Sequence, residues 1–514
     1  MTYRNSAASG HQAVTDAAME ILESGGNAFD AIVAAGFASA VSEPALNSLG
    51  GGGFLLARTA EGEEILYDFF VDTPGKGIRG DFPREPHFFP VTVNFPGSEQ
   101  VFNVGMGSVA VPGNLMGLMY IHERLCTMPL EKILDPAVRL AENGVRLNHH
   151  QGYFLDLLRP IMTLTERSRA IFGDNDTYLK AGDTLRNPEL AGFLKKLPET
   201  GIEPFYSGRI AEMIAEEMRE QHGLLTTEDL ASYRVIERQP LVTSYRGRRI
   251  VTNCPPSLGG PLITIAMTLL EKLHFHRPGW GCPGHVSAIC SCMKEVAMAR
   301  EQGMDSPDRI RPEWYGETAK RIGSLMDRIS ADQHPVFSKG TTHMSVCDRH
   351  GNAASMTCSN GEGSGYIAPG TGIMLNNMMG EDDLHPEGFH SSPPGIRVSS
   401  MMSPSLVTGP HGVELVLGSG GSKRIRTAIM QVMVNYIDFG MSIGEAVNAP
   451  RIHWDSSMFQ VEPGYPDIAI EAIKGLGPLN IWQDIDVYFG GVHAVEPMGG
   501  CAGDPRRGGT CAQE

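Results

Sequence analysis

Two periods of hydrophobic patterning run through the chain, and they predict most of its elements. Over residues 12–24, Val14, Ala17, Ala18, Ile21 and Leu22 share one face at helical spacing, and Gly25-Gly26 ends the run. Residues 28–41 are apolar almost all round, which predicts a buried helix too short to span a bilayer. Residues 64–71 read as a strand. Residues 341–347 alternate His, Ser and Cys with Met and Val, and 348–352 have turn composition. Residues 353–359 alternate again, with Ser355, Thr357 and Ser359 on one face. Folded as a hairpin, same-face pairing requires an even residue sum, so His343 sits opposite Thr357 and Thr341 opposite Ser359. Residues 413–417 read as a strand, and Gly418-Ser-Gly-Gly421 leads into a helix with Ile425, Ile429, Val432 and Tyr436 on one face. Thr226 or Thr227 is expected to cap a short helix, 262–273 and 285–299 read as helices, and 311–340 reads as a polar loop.

The hairpin places Thr341 at a strand start with hydroxyls gathered around it. A Thr hydroxyl is a weak nucleophile unless a base lies beside it, and one such base is the residue's own free α-amine. An internal Thr gains that amine only if the chain is cut after Gly340. On the residues alone, a plain core hairpin is the alternative. Gly-Thr-Thr-His-Met-Ser-Val-Cys-Asp-Arg-His-Gly-Asn-Ala, residues 340–353, resembles the processing-site motif of the γ-glutamyltransferase (γ-glutamyl transpeptidase) family of N-terminal-nucleophile hydrolases. Ser24-Gly-Gly-Asn-Ala-Phe-Asp-Ala31 and Gly50-Gly-Gly-Gly-Phe54 are similar to its N-terminal signature, and Asn253-Cys-Pro-Pro-Ser-Leu-Gly-Gly260 to its proline-glycine loop. No phosphate-loop Lys follows the four glycines, so they read as a tight turn with close backbone packing.

The resemblance implies an α/β (α+β) fold, a four-layer αββα sandwich. It implies a large segment, 1–340, and a small one, 341–514, cut from one precursor and forming one compact unit. By the same likeness Thr341 is the nucleophile, and Thr357 and Ser359 orient it. Asn360 is the nearest match to a following Asn, one place out of register. Gly420 and Gly421 match the oxyanion pair, and backbone N–H groups of a glycine turn at a helix N-terminus do favour developing negative charge. Glu381, with Asp382 next, matches the acid that holds a substrate ammonium, and Ser399 and Ser400 match serines that help hold its carboxylate.

The departures bear on substrate. Asp68-Phe-Phe-Val-Asp-Thr-Pro74 has Phe70 where the family has an Arg for the glutamate α-carboxylate. Losing that fork removes on the order of 1.5–3 kcal/mol of charged hydrogen bonding. Met378 replaces a Gln, one Met is inserted after Ser399-Ser400, and the connection between Asn377 and Ser399 is short for a lid. Arg79 and Arg397 are the candidates for a substitute charge.

Composition narrows the class. The net charge of −17 argues against nucleic acid or an anionic membrane as partner. Nine scattered cysteines suit free thiols in a reducing compartment, and the spacing of Cys282, Cys290 and Cys292 matches no zinc pattern. No metal or organic cofactor is indicated. With no leader pattern and no long apolar run, a cytoplasmic enzyme is expected. The reading is a self-cleaving amidohydrolase that cleaves or transfers γ-glutamyl groups, as from glutathione, to water or an amine through an acyl-Thr intermediate. An acylase for another acyl group and a non-catalytic binding protein are the alternatives.

Overall fold

The computed structural model describes residues 2–79, 85–95, 98–173, 176–275, 279–324, 340–385 and 387–514. Its centre is a pair of antiparallel sheets. The first carries, in order, Thr510–Gln513, Ser6–Ser9, Thr342–Cys347, Ala353–Ser359, Gly52–Arg58, Glu64–Phe69 and Ile236–Arg238. The second carries Cys501–Ala502, Gly491–Val495, Gly412–Gly420, Ser405–Gly409, Arg248–Thr252 and Leu241–Tyr245. Both sheets mix strands from before and after Gly340, so a cut there would leave two interleaved chains that share both sheets.

Alternation along the strands builds the layers. Met344, Val346, Ala354 and Met356 of the hairpin pack with Val14, Ala18, Ile32 and Ala35 of helices Gln12–Glu23 and Ala28–Ser42. Phe54, Leu56, Cys347 and Ala353 face the other way and pack with Leu415, Leu417, Val492 and Ala494 of the second sheet. Helices Gly259–Glu271 and Ile425–Phe439 close the far side. The order helix, sheet, sheet, helix is the αββα sandwich.

The helix Ala28–Ser42 is buried along its whole length, as its composition requires. Asn27 caps it through Phe29 and Asp30, and Asp30 returns the bond in a capping box. Thr226 caps Thr227–Ser232 in the same way with Asp229. The hairpin register is as its pattern predicts, with His343 opposite Thr357.

Most ends shift by one to three residues, and two stretches change their assignment. Pro312–Ser324 is a helix rather than loop, because Tyr315, Ala319 and Ile322 recur at helical spacing and are buried. The rest of the expected loop, 325–339, lies outside the described residues. The strand Gly412–Gly420 continues through the glycines, and the helix begins only at Ile425 after a 3-10 turn at Ser422–Arg424. Gly420 and Gly421 therefore stand at a strand end, not at a helix N-terminus. No helix among the described residues is long and apolar enough to cross a membrane.

Candidate active site

Thr341 lies immediately before the strand Thr342–Cys347, with 6% of its surface exposed. Its hydroxyl donates to the Gly340 carbonyl at 2.7 Å. Ser359 donates to the same oxygen at 2.7 Å. One peptide carbonyl thus receives two hydroxyls, and it belongs to the bond between Gly340 and Thr341. The Gly340 amide in turn donates to Glu362, 1% exposed, at 3.3 Å.

The glycine run of residues 50–53 explains how the hairpin reaches this arrangement. A Cβ on Gly51 would overlap the Ser359 carbonyl, and one on Gly53 would come within 2.6 Å of the Thr357 carbonyl. Close backbone packing is what these glycines supply. At the other side, a Cβ on Gly420 would overlap the Thr341 carbonyl oxygen. Gly421 takes a φ of 116°, in the left-handed region that favours glycine.

Behind Thr341 the polar face of the hairpin is buried between the sheets. His343 Nδ1 and the Thr357 hydroxyl are 2.8 Å apart, and His343 Nε2 and the Ser345 hydroxyl 3.0 Å. Ser345 donates to the His493 carbonyl and Ser355 to the Leu417 carbonyl. Gly418 leaves the space that the His343 ring occupies. Burial, with His493 adding to it, holds His343 well below the ordinary imidazole range, so the ring is neutral. Thr357 meets His343 here.

Thr341 lines a small, partly open cleft. Phe70, Met378, Leu384, Met401, Met402 and Ile425 form its apolar wall, and Thr341, Ser359, Glu381, Asp383, Ser400 and Ser422 its polar one. Glu381 is buried and lines the cleft, but Asp382 is exposed and does not. The turn Asp382–Leu384 is 3-10, in which successive side chains diverge by about a third of a circle. Asp383 lines the cleft instead of Asp382, and is held by Ser422 at 2.8 Å and Lys423 at 2.9 Å. Ser400 lines the cleft and Ser399 does not; the Ser399 hydroxyl lies 3.5 Å from the Leu384 carbonyl. Asn360 is buried outside the lining, with neither side-chain amide atom hydrogen-bonded.

Phe70 lines the cleft and stacks on Phe54 at 5.5 Å. Neither candidate for a substitute charge reaches it. Arg397 is spent on Asp68, Asp72, the Phe70 carbonyl and Tyr233. Arg79 is exposed and pairs with Glu228 at 2.7 Å. Among the described residues, the cleft lining holds two carboxylates and no Lys or Arg.

The gamma-glutamyltranspeptidase family model matches residues 14–513, nearly the whole chain. The chain belongs to that family. It is 33% identical to the glutathione hydrolase proenzyme of Escherichia coli over 491 residues, covering 90% of this chain and 83% of that one. It is 29% identical to the acylase ACY 1 proenzyme of a Pseudomonas strain, SE83, over 91% of this chain and 85% of that one. The cephalosporin acylase structure from Bacillus halodurans superposes with a TM-score of 0.80 at 25% identity, covering 99% of this chain and 96% of that one. Family enzymes thus include hydrolases of both kinds.

Several residues around this family site escape sequence reasoning. Glu362 and Asp383 come from an acidic, glycine-rich stretch without periodicity. Glu43 follows the first buried helix and accepts the Thr342 hydroxyl at 3.1 Å. Burial pushes its carboxyl up to about 7, against the pull of that hydroxyl and of Arg507. Arg507, 2% exposed, donates to the Thr341 carbonyl at 3.2 Å. The one signal for it is local: Asp504-Pro-Arg-Arg-Gly-Gly509 packs two arginines into turn composition near the C-terminus.

Proposed function

We propose that this enzyme cuts itself between Gly340 and Thr341, giving segments 1–340 and 341–514, and then hydrolyses or transfers amides through Thr341. In the first step the Thr341 hydroxyl attacks the Gly340 carbonyl carbon. The peptide C–N bond breaks, an ester forms, the α-amine is freed, and water releases Gly340. In turnover the same hydroxyl attacks a substrate amide, its proton passing through the α-amine to the leaving amine. Gly420 and Gly421 supply the oxyanion site, and water or an amine resolves the acyl-enzyme. Ser359 assists at the carbonyl. Thr357 acts by holding His343 and the hairpin in register.

The convergence of the Thr341 and Ser359 hydroxyls on the Gly340 carbonyl carries the first half of this reading. The cleft carries the second. With Phe70 in its wall and Arg397 committed elsewhere, the acyl group it suits is one other than γ-glutamyl, lying against Phe70, Met378 and Met401. Glu381 offers a carboxylate to an ammonium on that group, with Ser400 as a hydroxyl partner. The likeness to two named acylases favours the same class.

A second reading, γ-glutamyl transfer or hydrolysis, is favoured by the Glu381 and Ser400 positions and by the E. coli relative. A panel of p-nitroanilides separates the two, with γ-glutamyl, glutaryl, phenylacetyl and straight-chain acyl groups. The acylase reading expects kcat/KM for an apolar acyl group to exceed that for γ-glutamyl by about tenfold or more, matching the missing guanidinium. A preference for γ-glutamyl would reverse the choice.

A further inference from the structure

The chain places a buried guanidinium against the nucleophile's own backbone. Arg507 reaches Thr341 from the C-terminal turn, its Nη1 donating to the carbonyl at 3.2 Å and Nη2 to the Val487 carbonyl at 3.4 Å. Three glycines make the slot it occupies. A Cβ on Gly491 would fall 2.5 Å from its Cδ, and one on Gly420 or Gly421 would fall 3.3 Å from a guanidinium nitrogen. The adjacent Arg506 points the other way, into Glu462 and Asp504.

We propose that Arg507 is a positioning residue for the nucleophile: it fixes Thr341 through its carbonyl and keeps the α-amine freed by cleavage neutral, able to accept a proton. This rests on the self-cleavage reading above. The bond to the carbonyl anchors the Cα from which both the hydroxyl and the amine project. Backbone dimensions then put the charge within roughly 6 Å of the amine, where a like charge disfavours protonation.

The other charged and titratable groups around Arg507 leave that effect in place. Asp504 is shared between Arg451 and Arg506. Asp486 and Glu43 face Arg507, and burial raises both carboxyls, Glu43 to about 7. Arg424 adds a second positive charge nearby. His150 and His493 are held below their ordinary range and Tyr153 above its own, in each case first by burial, so all three are uncharged at neutral pH. Burial also lowers Arg507, to about 10, which still leaves it charged.

The test reads the amine directly and needs no substrate. The cleaved protein is labelled with trace acetic anhydride from about pH 5 to 9, and acetylation of the Thr341 α-amine is followed by peptide mass spectrometry. The expected midpoint lies below about 7, against 7.7–8.0 for an ordinary α-amine. Arg507→Gln should raise it by roughly one pH unit, and Arg507→Lys, which keeps the charge, should leave it near the wild-type value. If the Gln variant fails to cleave, the wild-type and Lys midpoints decide. A wild-type midpoint at 8 or above, or one that Arg507→Gln leaves unmoved, overturns the proposal while the cleavage reading stands. A wild-type chain with no Thr341 N-terminus removes both.

Discussion

Ser359 donates its hydroxyl to the carbonyl oxygen of Gly340 at 2.7 Å, across the open end of the hairpin. A donor already aimed at that oxygen strengthens as charge develops there during attack. Ser359→Ala should therefore slow self-cleavage by about 10²-fold, the usual cost of one oxyanion donor. The conversion of purified precursor, followed by gel densitometry, measures it. Cleavage at the wild-type rate would show that the bond has no part in the step.

Gly420 sits so close to Thr341 that a side chain has no room. Gly420→Ala should displace the Thr341 carbonyl, destabilise the fold by about 1–3 kcal/mol and abolish cleavage. Urea unfolding together with intact mass would test both. A stable, cleaving Ala variant would mean that the strand end shifts freely.

On the acylase reading, Phe70 in the cleft wall sets which acyl group is accepted. Phe70→Arg gives up a ring stack but adds a guanidinium to a wall that already carries Glu381 and Asp383. The expected result is a gain of about tenfold or more in kcat/KM for γ-glutamyl-p-nitroanilide, with a loss for apolar acyl anilides. An unchanged preference would place the determinant elsewhere.

Much of this was legible in the chain, and the misses have physical causes. The hairpin could be read to the residue, because a period of two allows only one parity of register and the turn at 348–352 selects the pairing nearest to it. That Asp383 rather than Asp382 would line the cleft beside Glu381 could not be read, because it turns on whether a short segment is 3-10 or extended, and both suit the same composition. The glycines after residue 417 look like a helix entry in sequence, yet pairing of Gly420 with Gly491 keeps them in the sheet. Arg507 is 166 residues from Thr341, and its role depends on a contact that no local pattern encodes.

Glu43 should make stability pH-dependent. Its folded carboxyl titrates near 7 against an ordinary 4.5, so the folded state binds the proton more tightly than the unfolded one. That contribution is fully present below pH 4.5 and is lost as pH rises through 7, a span worth up to about 3 kcal/mol. Glu43→Gln should flatten the decline across that window in urea-midpoint measurements. An unaltered pH profile would mean that other groups dominate there.

Intact-mass spectrometry of the purified protein, beside Thr341→Ala, reads self-cleavage itself. Self-cleavage gives two wild-type fragments whose masses sum to the chain plus one water and divide between Gly340 and Thr341, with the variant uncut. A wild-type chain that stays whole on prolonged incubation, or a Thr341→Ala chain that divides at the same bond, would contradict it.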